Sequence, residues 1–186
     1  MTAIIVIVII AAVVVLAALY LAMRSRRTER LHDRFGPEYD RTVDEAGGRR
    51  AAESELVARE KRREELDIRD LSPAARDRYA SQWQDVQARF VDDPSGAVSQ
   101  GDALVTAVMR DRGYPIEDFD QRLADISVDH ADVADNYRAA RDIARSSSEG
   151  TASTEDLRQG MVHYRTLFED LLGTPAAATQ NAGGTQ

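Results

Sequence analysis

The residues of this chain with the means to do chemistry are three histidines and a set of closely spaced aspartates. His32 is followed by Asp33, His130 is preceded by Asp129, and His163 is followed by Tyr164. A histidine and a carboxylate make an acid–base pair only where they meet in space, and adjacency along the chain does not establish that. His163 stands two positions from Met161, off the apolar stripe of its segment, and is expected at a boundary or on the surface. Asp125, Asp129, Asp132 and Asp135 recur at intervals of four, three and three, with His130 among them. Oxygen donors of this kind suit calcium or magnesium, but such ions take about six or more ligands and the calcium-loop pattern is missing. The expectation is a solvated acidic face that also favours the N-terminus of a helix beginning near Asp129.

Other chemistry is excluded more firmly. There is no cysteine, which removes disulfides and thiolate catalysis and suits either redox compartment. Lys61 is the sole lysine beside 23 arginines, and it lies in a charged helical stretch with no glycine loop before it, so no phosphate-binding loop is present. The dinucleotide fingerprint, HExxH and the GxSxG elbow are all missing. No residue is therefore assigned to catalysis, to a cofactor or to a metal. The arginine, alanine and aspartate usage reads as the codon bias of a GC-rich genome.

The element that dominates the chain is the run 3–23, AIIVIVIIAAVVVLAALYLAM, which contains 21 apolar residues without charge, proline or glycine. As a helix it would measure roughly 31 Å, the thickness of a bilayer's hydrocarbon layer. It has no polar face to offer water, so the reading is a single transmembrane helix with lipid as its partner. The start lacks a basic region and the exit LYLAM-Arg24 is a poor peptidase site, so the anchor is expected to be retained. Arg24, Arg26, Arg27 and Arg30 follow the span and nothing basic precedes it. Cationic flanks stay cytoplasmic, which places residues 1–2 outside and the body inside, with an exported body as the alternative. The same four arginines would attract anionic headgroups, although a role as topological markers accounts for them.

Residues 24–71 read as a basic flank and charged helical spacer. TERLHDRFG continues the first helix, Gly36 and Pro37 interrupt it, and PEYDRTVDEA forms a short helix ending at Gly47 and Gly48. RRAAESELVAREKRREEL is rich in helix formers, but Ala52, Leu56 and Leu66 are too sparse for a coiled-coil seam, so a solvated spacer helix is expected.

Residues 72–173 predict a bundle of about five amphipathic helices, making the whole chain all-α. Ser72–Pro73 and Asp93–Pro94 are helix starts, and Gly113 is a stop. The apolar stripes are Tyr79, Trp83, Val86 and Phe90; then Val98, Leu104, Val105, Val108 and Met109; then Phe119, Leu123 and Ile126. Val133, Tyr137, Ala140 and Ile143 form the fourth, and Leu157, Met161, Tyr164, Phe168 and Leu171 the last. SSSEGTAS is expected as a loop, with Ser153 and Asp156 forming a capping box. Residues 174–186 have no charge and no large apolar side chain, and are expected to be disordered.

The formal charge of −8 lies wholly in residues 72–173, which hold 11 basic and 19 acidic side chains. Phosphate backbones repel such a domain, so no nucleic-acid partner is expected. Ala18 and Ala22 form one small-xxx-small pair, too little to assign a homo-oligomer.

The stretches RFGPEYDRTV, LSPAARDRYASQWQDVQARFVDDP and STEDLRQGMVHYRTLFEDLL resemble a family of small helical proteins of GC-rich actinobacteria. Those proteins have an N-terminal apolar anchor and carry general labels such as membrane or secreted protein. The resemblance implies a membrane-anchored helical chain and brings no activity, cofactor or catalytic residue to any position. The function expected is a non-enzymatic, membrane-tethered protein-interaction or scaffold module at the cytoplasmic membrane surface. The alternatives are an exported envelope protein and an enzyme whose site is assembled from distant residues.

Overall fold

A computed structural model describes residues 2–173, and within its first helix the side chains of residues 14–19 and from 21 onward. The expected tail 174–186 lies outside the described residues, as do the side chains of 3–13 and Tyr20 in the expected span. Every regular element among the described residues is helical: α1 (Thr2–Phe35), α2 (Pro37–Glu45), α3 (Arg49–Glu64), α4 (Pro73–Arg89), α5 (Pro94–Arg112), α6 (Phe119–Ile126), α7 (Ala131–Ser148) and α8 (Thr154–Leu171). Among the described residues no helix is long and apolar enough to cross a membrane. The chain divides into two compact units, Met1–Leu56 and Val57–Gln186.

In the first unit α1 carries the apolar run without interruption into the charged stretch that ends at Phe35. Gly36 stops it with a left-handed φ of 47°, and Pro37 opens α2 at the first helical position, where its missing N–H loses nothing. The expected solvated spacer helix is solvated on one side only, for Ala52 and Leu56 are both fully buried while Arg49, Arg50, Ser54 and Glu55 are exposed. Leu31, Phe35 and Tyr39 are the other buried apolar side chains among the described residues of this unit. Thr28 of α1 touches Glu53 of α3, so Leu31 and Phe35, three and seven residues on from Thr28, face the side of α3 that carries Ala52 and Leu56. The buried apolar side chains described in this unit come from all three of its helices.

The second unit holds the five predicted helices α4–α8 together with residues 57–64 of α3. The predicted start signals act as read: Ser72 accepts from the Ala75 amide at 3.2 Å, and Asp93 accepts from the Gly96 amide at 2.9 Å. Gly113, at φ 99°, closes α5 with Tyr114 N–H donating to Met109 at 3.0 Å. A side chain at 113 would meet the Asp67 carbonyl, which the segment leading into α4 lays across the end of α5. α8 packs on α5 and α7, and α4 packs on α5. Trp83 of α4 stacks on Phe168 of α8 at 4.8 Å, and Phe119 of α6 meets Tyr137 of α7 at 5.0 Å. The stripes predicted for these helices are the ones that form the core, with Phe90, Phe119 and Ile143 at its margin.

One loop is shorter than expected. Ser146, Ser147 and Ser148 stay helical at the end of α7, and the turn is confined to 149–153, with Gly150 at φ 72°. Serine is tolerated there because the last carbonyls of a helix want donors, and the Ser148 hydroxyl donates to Arg145 at 2.7 Å. The Ser153–Asp156 capping box then starts α8 with both of its reciprocal bonds.

Candidate functional site

Two polar clusters, one in each unit, are the places where chemistry could be housed. In the first unit α1 and α3 meet through Glu53, which is buried. Its Oε1 accepts from the Thr28 hydroxyl at 2.6 Å and from the Tyr39 hydroxyl at 3.1 Å. Burial, followed by the hydrogen bond to Glu53, raises the Tyr39 phenol above its ordinary range, so it stays a donor. Arg27 donates to the Glu53 backbone carbonyl at 3.4 Å.

This joint holds open a cleft of about 530 Å³ lined by Met23, Arg24, Arg27, Arg50, Glu53 and Ser54. Of the four arginines predicted to flank the apolar run, all are exposed, and the cleft takes Arg24 and Arg27. The two lie three residues apart on one face of α1, whereas Arg26 sits about 200° around the helix from Arg24. Arg26 and Arg30 do not line it. Arg50 comes from the first turn of α3 and was missed in the sequence, where it is one charge among many in the spacer.

In the second unit Asp129, Asp132 and Asp135 are exposed, as expected of a solvated face, but the first member of the series is not. Asp125 has no exposed surface at all. Its Oδ1 sits 3.1 Å from the Arg62 guanidinium and accepts from Gln121 at 2.9 Å, while Oδ2 has no hydrogen-bond partner. Burial raises its carboxyl above the ordinary range, against the opposing pull of Gln121, Arg62 and Arg59. Asp129 pairs with Arg63 and accepts from the Tyr114 hydroxyl at 3.2 Å. Asp135 pairs with Arg138 at 2.9 Å on its own helix. The four carboxylates do not converge, and among the described residues no group of three or more His, Cys, Asp or Glu is placed to hold a metal ion.

His130 does find a carboxylate, but it is Asp170 of α8 rather than its neighbour Asp129. Its other nitrogen, Nε2, lies 3.3 Å from Nη1 of Arg112, which also donates to the Leu171 carbonyl at 3.0 Å. A guanidinium only donates, so Nε2 is the lone-pair nitrogen and Nδ1 carries the proton given to Asp170. Both ring nitrogens are thus consumed in fastening the ends of α5, α7 and α8. A general base needs one of them free and turned toward a substrate. His163 is half-buried, as expected, with Nδ1 2.8 Å from the side-chain oxygen of Asn136 on α7. His32 is more than half exposed and packs edge-on to Tyr39 at 5.4 Å. The histidines are not brought together.

A further cleft of about 560 Å³ runs between α5, α6 and α7, and most of its charged lining is paired. Asp102 accepts from Tyr164 at 2.8 Å and from Arg141 at 3.3 Å, and Arg145 bonds Asp142 at 3.4 Å. The aromatic stripe of Tyr79 and Trp83 is core, not an open groove.

No protein-family model, curated protein or solved structure matches this chain.

Proposed function

We propose that the chain is a single-pass membrane protein, anchored by residues 3–23, whose helical body serves a non-enzymatic interaction or scaffold role at the cytoplasmic face. The observation that carries it is one unbroken helix whose apolar run leads directly into charge. Val14, Val15, Leu16, Leu19, Leu21 and Met23 of that helix are all exposed, Leu16 at 65% and Met23 at 72%. Six large apolar side chains in water on one helix would forfeit most of what burial returns, about 1.5–3 kcal/mol for each. A lipid environment removes that penalty. The arginines at 24, 26, 27 and 30 supply the cytoplasmic flank.

The non-enzymatic part rests on how the polar groups are used. His130, Asp125, Asp129 and Asp102 are all engaged with neighbours that tie helices together. The resemblance to anchored actinobacterial proteins is consistent with the same reading.

The test is fractionation of cells followed by carbonate extraction, combined with Ser148→Cys labelling by an impermeant thiol reagent in intact cells. Ser148 is exposed, and the chain has no cysteine to confuse the signal. The expected result is full-length protein retained in the extracted membrane and a cysteine labelled only after lysis. Labelling in intact cells would assign the body to the outside, and recovery of the intact chain from the soluble fraction would remove the anchor.

A further inference from the structure

We propose that the cleft between α1 and α3 binds the phosphate of an anionic phospholipid headgroup, with Arg24, Arg27 and Arg50 as its cationic wall and Ser54 as a hydroxyl donor. The inference rests on the anchored reading and goes beyond it by naming a site rather than a charged flank. Its first ground is position. Met23 is the last residue of the apolar run, and it lines the cleft beside Arg24. With the run in the hydrocarbon layer, the cleft opens at the depth of the headgroups.

The second ground is unbalanced charge. Three arginines face one acid, and that acid is the buried Glu53, whose Oε1 already accepts from Thr28 and Tyr39. Neither Arg24 nor Arg50 has a carboxylate partner among the described residues, in a protein where Arg41, Arg62, Arg63, Arg78, Arg89 and Arg158 each have one. Guanidinium groups match phosphate oxygens bidentately and remain charged at every relevant pH. The third ground is selection. Every phospholipid has a phosphate, but a choline headgroup adds a quaternary ammonium that three arginines repel, whereas a phosphoglycerol headgroup adds only hydroxyls. A volume of about 530 Å³ accommodates a group of that size.

A soluble phosphate offers the same chemistry, so the test separates the two sources. The full chain is floated with phosphatidylcholine vesicles containing phosphatidylglycerol, then examined by native mass spectrometry in micelles carrying both lipids. Wild type should float and retain phosphatidylglycerol over phosphatidylcholine. Arg50→Gln should float but lose about fivefold in that retention, as expected for one interfacial arginine. Arg26→Gln, the same charge change on the same flank outside the cleft, should alter it less than twofold. Equal losses in the two variants would reduce the site to flank electrostatics and overturn it. Retention of both lipids equally, with inorganic phosphate binding lipid-free micelles in an Arg50-dependent way, would assign the cleft to a soluble phosphate instead. Wild type that fails to float would overturn the anchored reading itself, which a floating protein without lipid preference would not.

Discussion

Two sets of arginines, one in each unit, are used in opposite ways. In Met1–Leu56, Arg24 and Arg50 stand exposed around a cleft with no carboxylate paired to either among the described residues. In Val57–Gln186, Arg62 and Arg63 each meet an aspartate, and Arg112 bridges His130 and the Leu171 carbonyl at the end of α8. The same guanidinium is a fastener in one place and an unspent charge in the other. What separates them is whether a second element delivers an acid to meet them. The α6–α7 junction delivers Asp125 and Asp129, while Glu53, which lines the cleft with Arg50, is turned inward to Thr28 and Tyr39. Charge density along the sequence is similar in both regions, so it is a poor guide to which cations are available for a ligand.

The contrast can be broken at Arg62, where the largest effect is expected. Arg62→Gln leaves a carboxylate with no exposed surface, its ion pair gone and Gln121 and Arg59 as its remaining favourable neighbours. Removing one partner of a fully buried pair costs about 3–5 kcal/mol, and the half-exposed Arg62 side chain reduces this to about 2 kcal/mol. Trp83, the only tryptophan, stacks in the core of the second unit, so urea unfolding followed by its fluorescence reads that unit. Adding Asp125→Asn to Arg62→Gln should recover most of the loss, since the amide has no charge to strand. A loss that persists in the double variant would mean Arg62 acts through packing instead.

Next in size is His130→Ala, expected to cost about 1.5 kcal/mol by the same measurement, the value of a charge-assisted hydrogen bond in a half-buried site. It removes the bond to Asp170 and the acceptor for Arg112 together. The double variant with Asp170→Asn should be no less stable than His130→Ala alone. A surface histidine poised for catalysis would instead leave stability unmoved.

These joints show where reading the sequence stops. Ser72, Asp93 and the Ser153–Asp156 box were legible because a cap is made by residues within one turn of each other. The apolar stripes were legible for the same reason, since one helix sets their period. The His130–Asp170 pair spans forty residues and depends on how α7 and α8 pack, which no local pattern encodes. Asp125 looked solvated because aspartate usually is, and nothing local signals that Arg62 of α3 meets it. Arg50 had no signal at all. A run of charges gives each member the same prior, and the cleft exists because Glu53, three residues on, is held by Thr28 and Tyr39.

Acid separates the groups further, with a smaller effect. Glu155 is held down to about 2 by hydrogen bonds from Arg158 and then Gln159, against an ordinary 4.5. Asp156 is lowered by the Ser153 hydroxyl and then its amide, and Asp93 by the Gly96 amide and then Arg89. A carboxyl lowered in the fold stabilises it above the unfolded value and loses that contribution as pH falls toward the folded one. The Glu155 contribution therefore fades from about pH 4.5 downward, and the aspartate caps of α5 and α8 weaken from their ordinary 3.8 downward. Asp125 has the opposite sign: burial raises it, so its contribution favours the fold when it is protonated and is lost as pH rises through its folded value. Asp125→Asn should accordingly lose more Trp83-reported stability than wild type on acidification from pH 7 to pH 3. A parallel pair of curves would put Asp125 at an ordinary value.

The smallest expected effect sharpens the comparison most. Arg50→Gln is the same chemical change as Arg62→Gln, made where no carboxylate waits for the cation. Arg50 is exposed and contributes no ion pair among the described residues, so its removal strands no buried charge. Gln is nearly as good a helix former as Arg, and the first turn of α3 loses only a cation from the helix end that disfavours one. Stability of the first unit, read by amide hydrogen exchange of Leu31, Phe35 and Leu56, should shift by less than about 0.5 kcal/mol. A loss as large as that at Arg62 would mean that Arg50 holds α3 in place. Its charge would then be spent on the fold and not left over for phosphate, and the distinction between the two clusters would collapse.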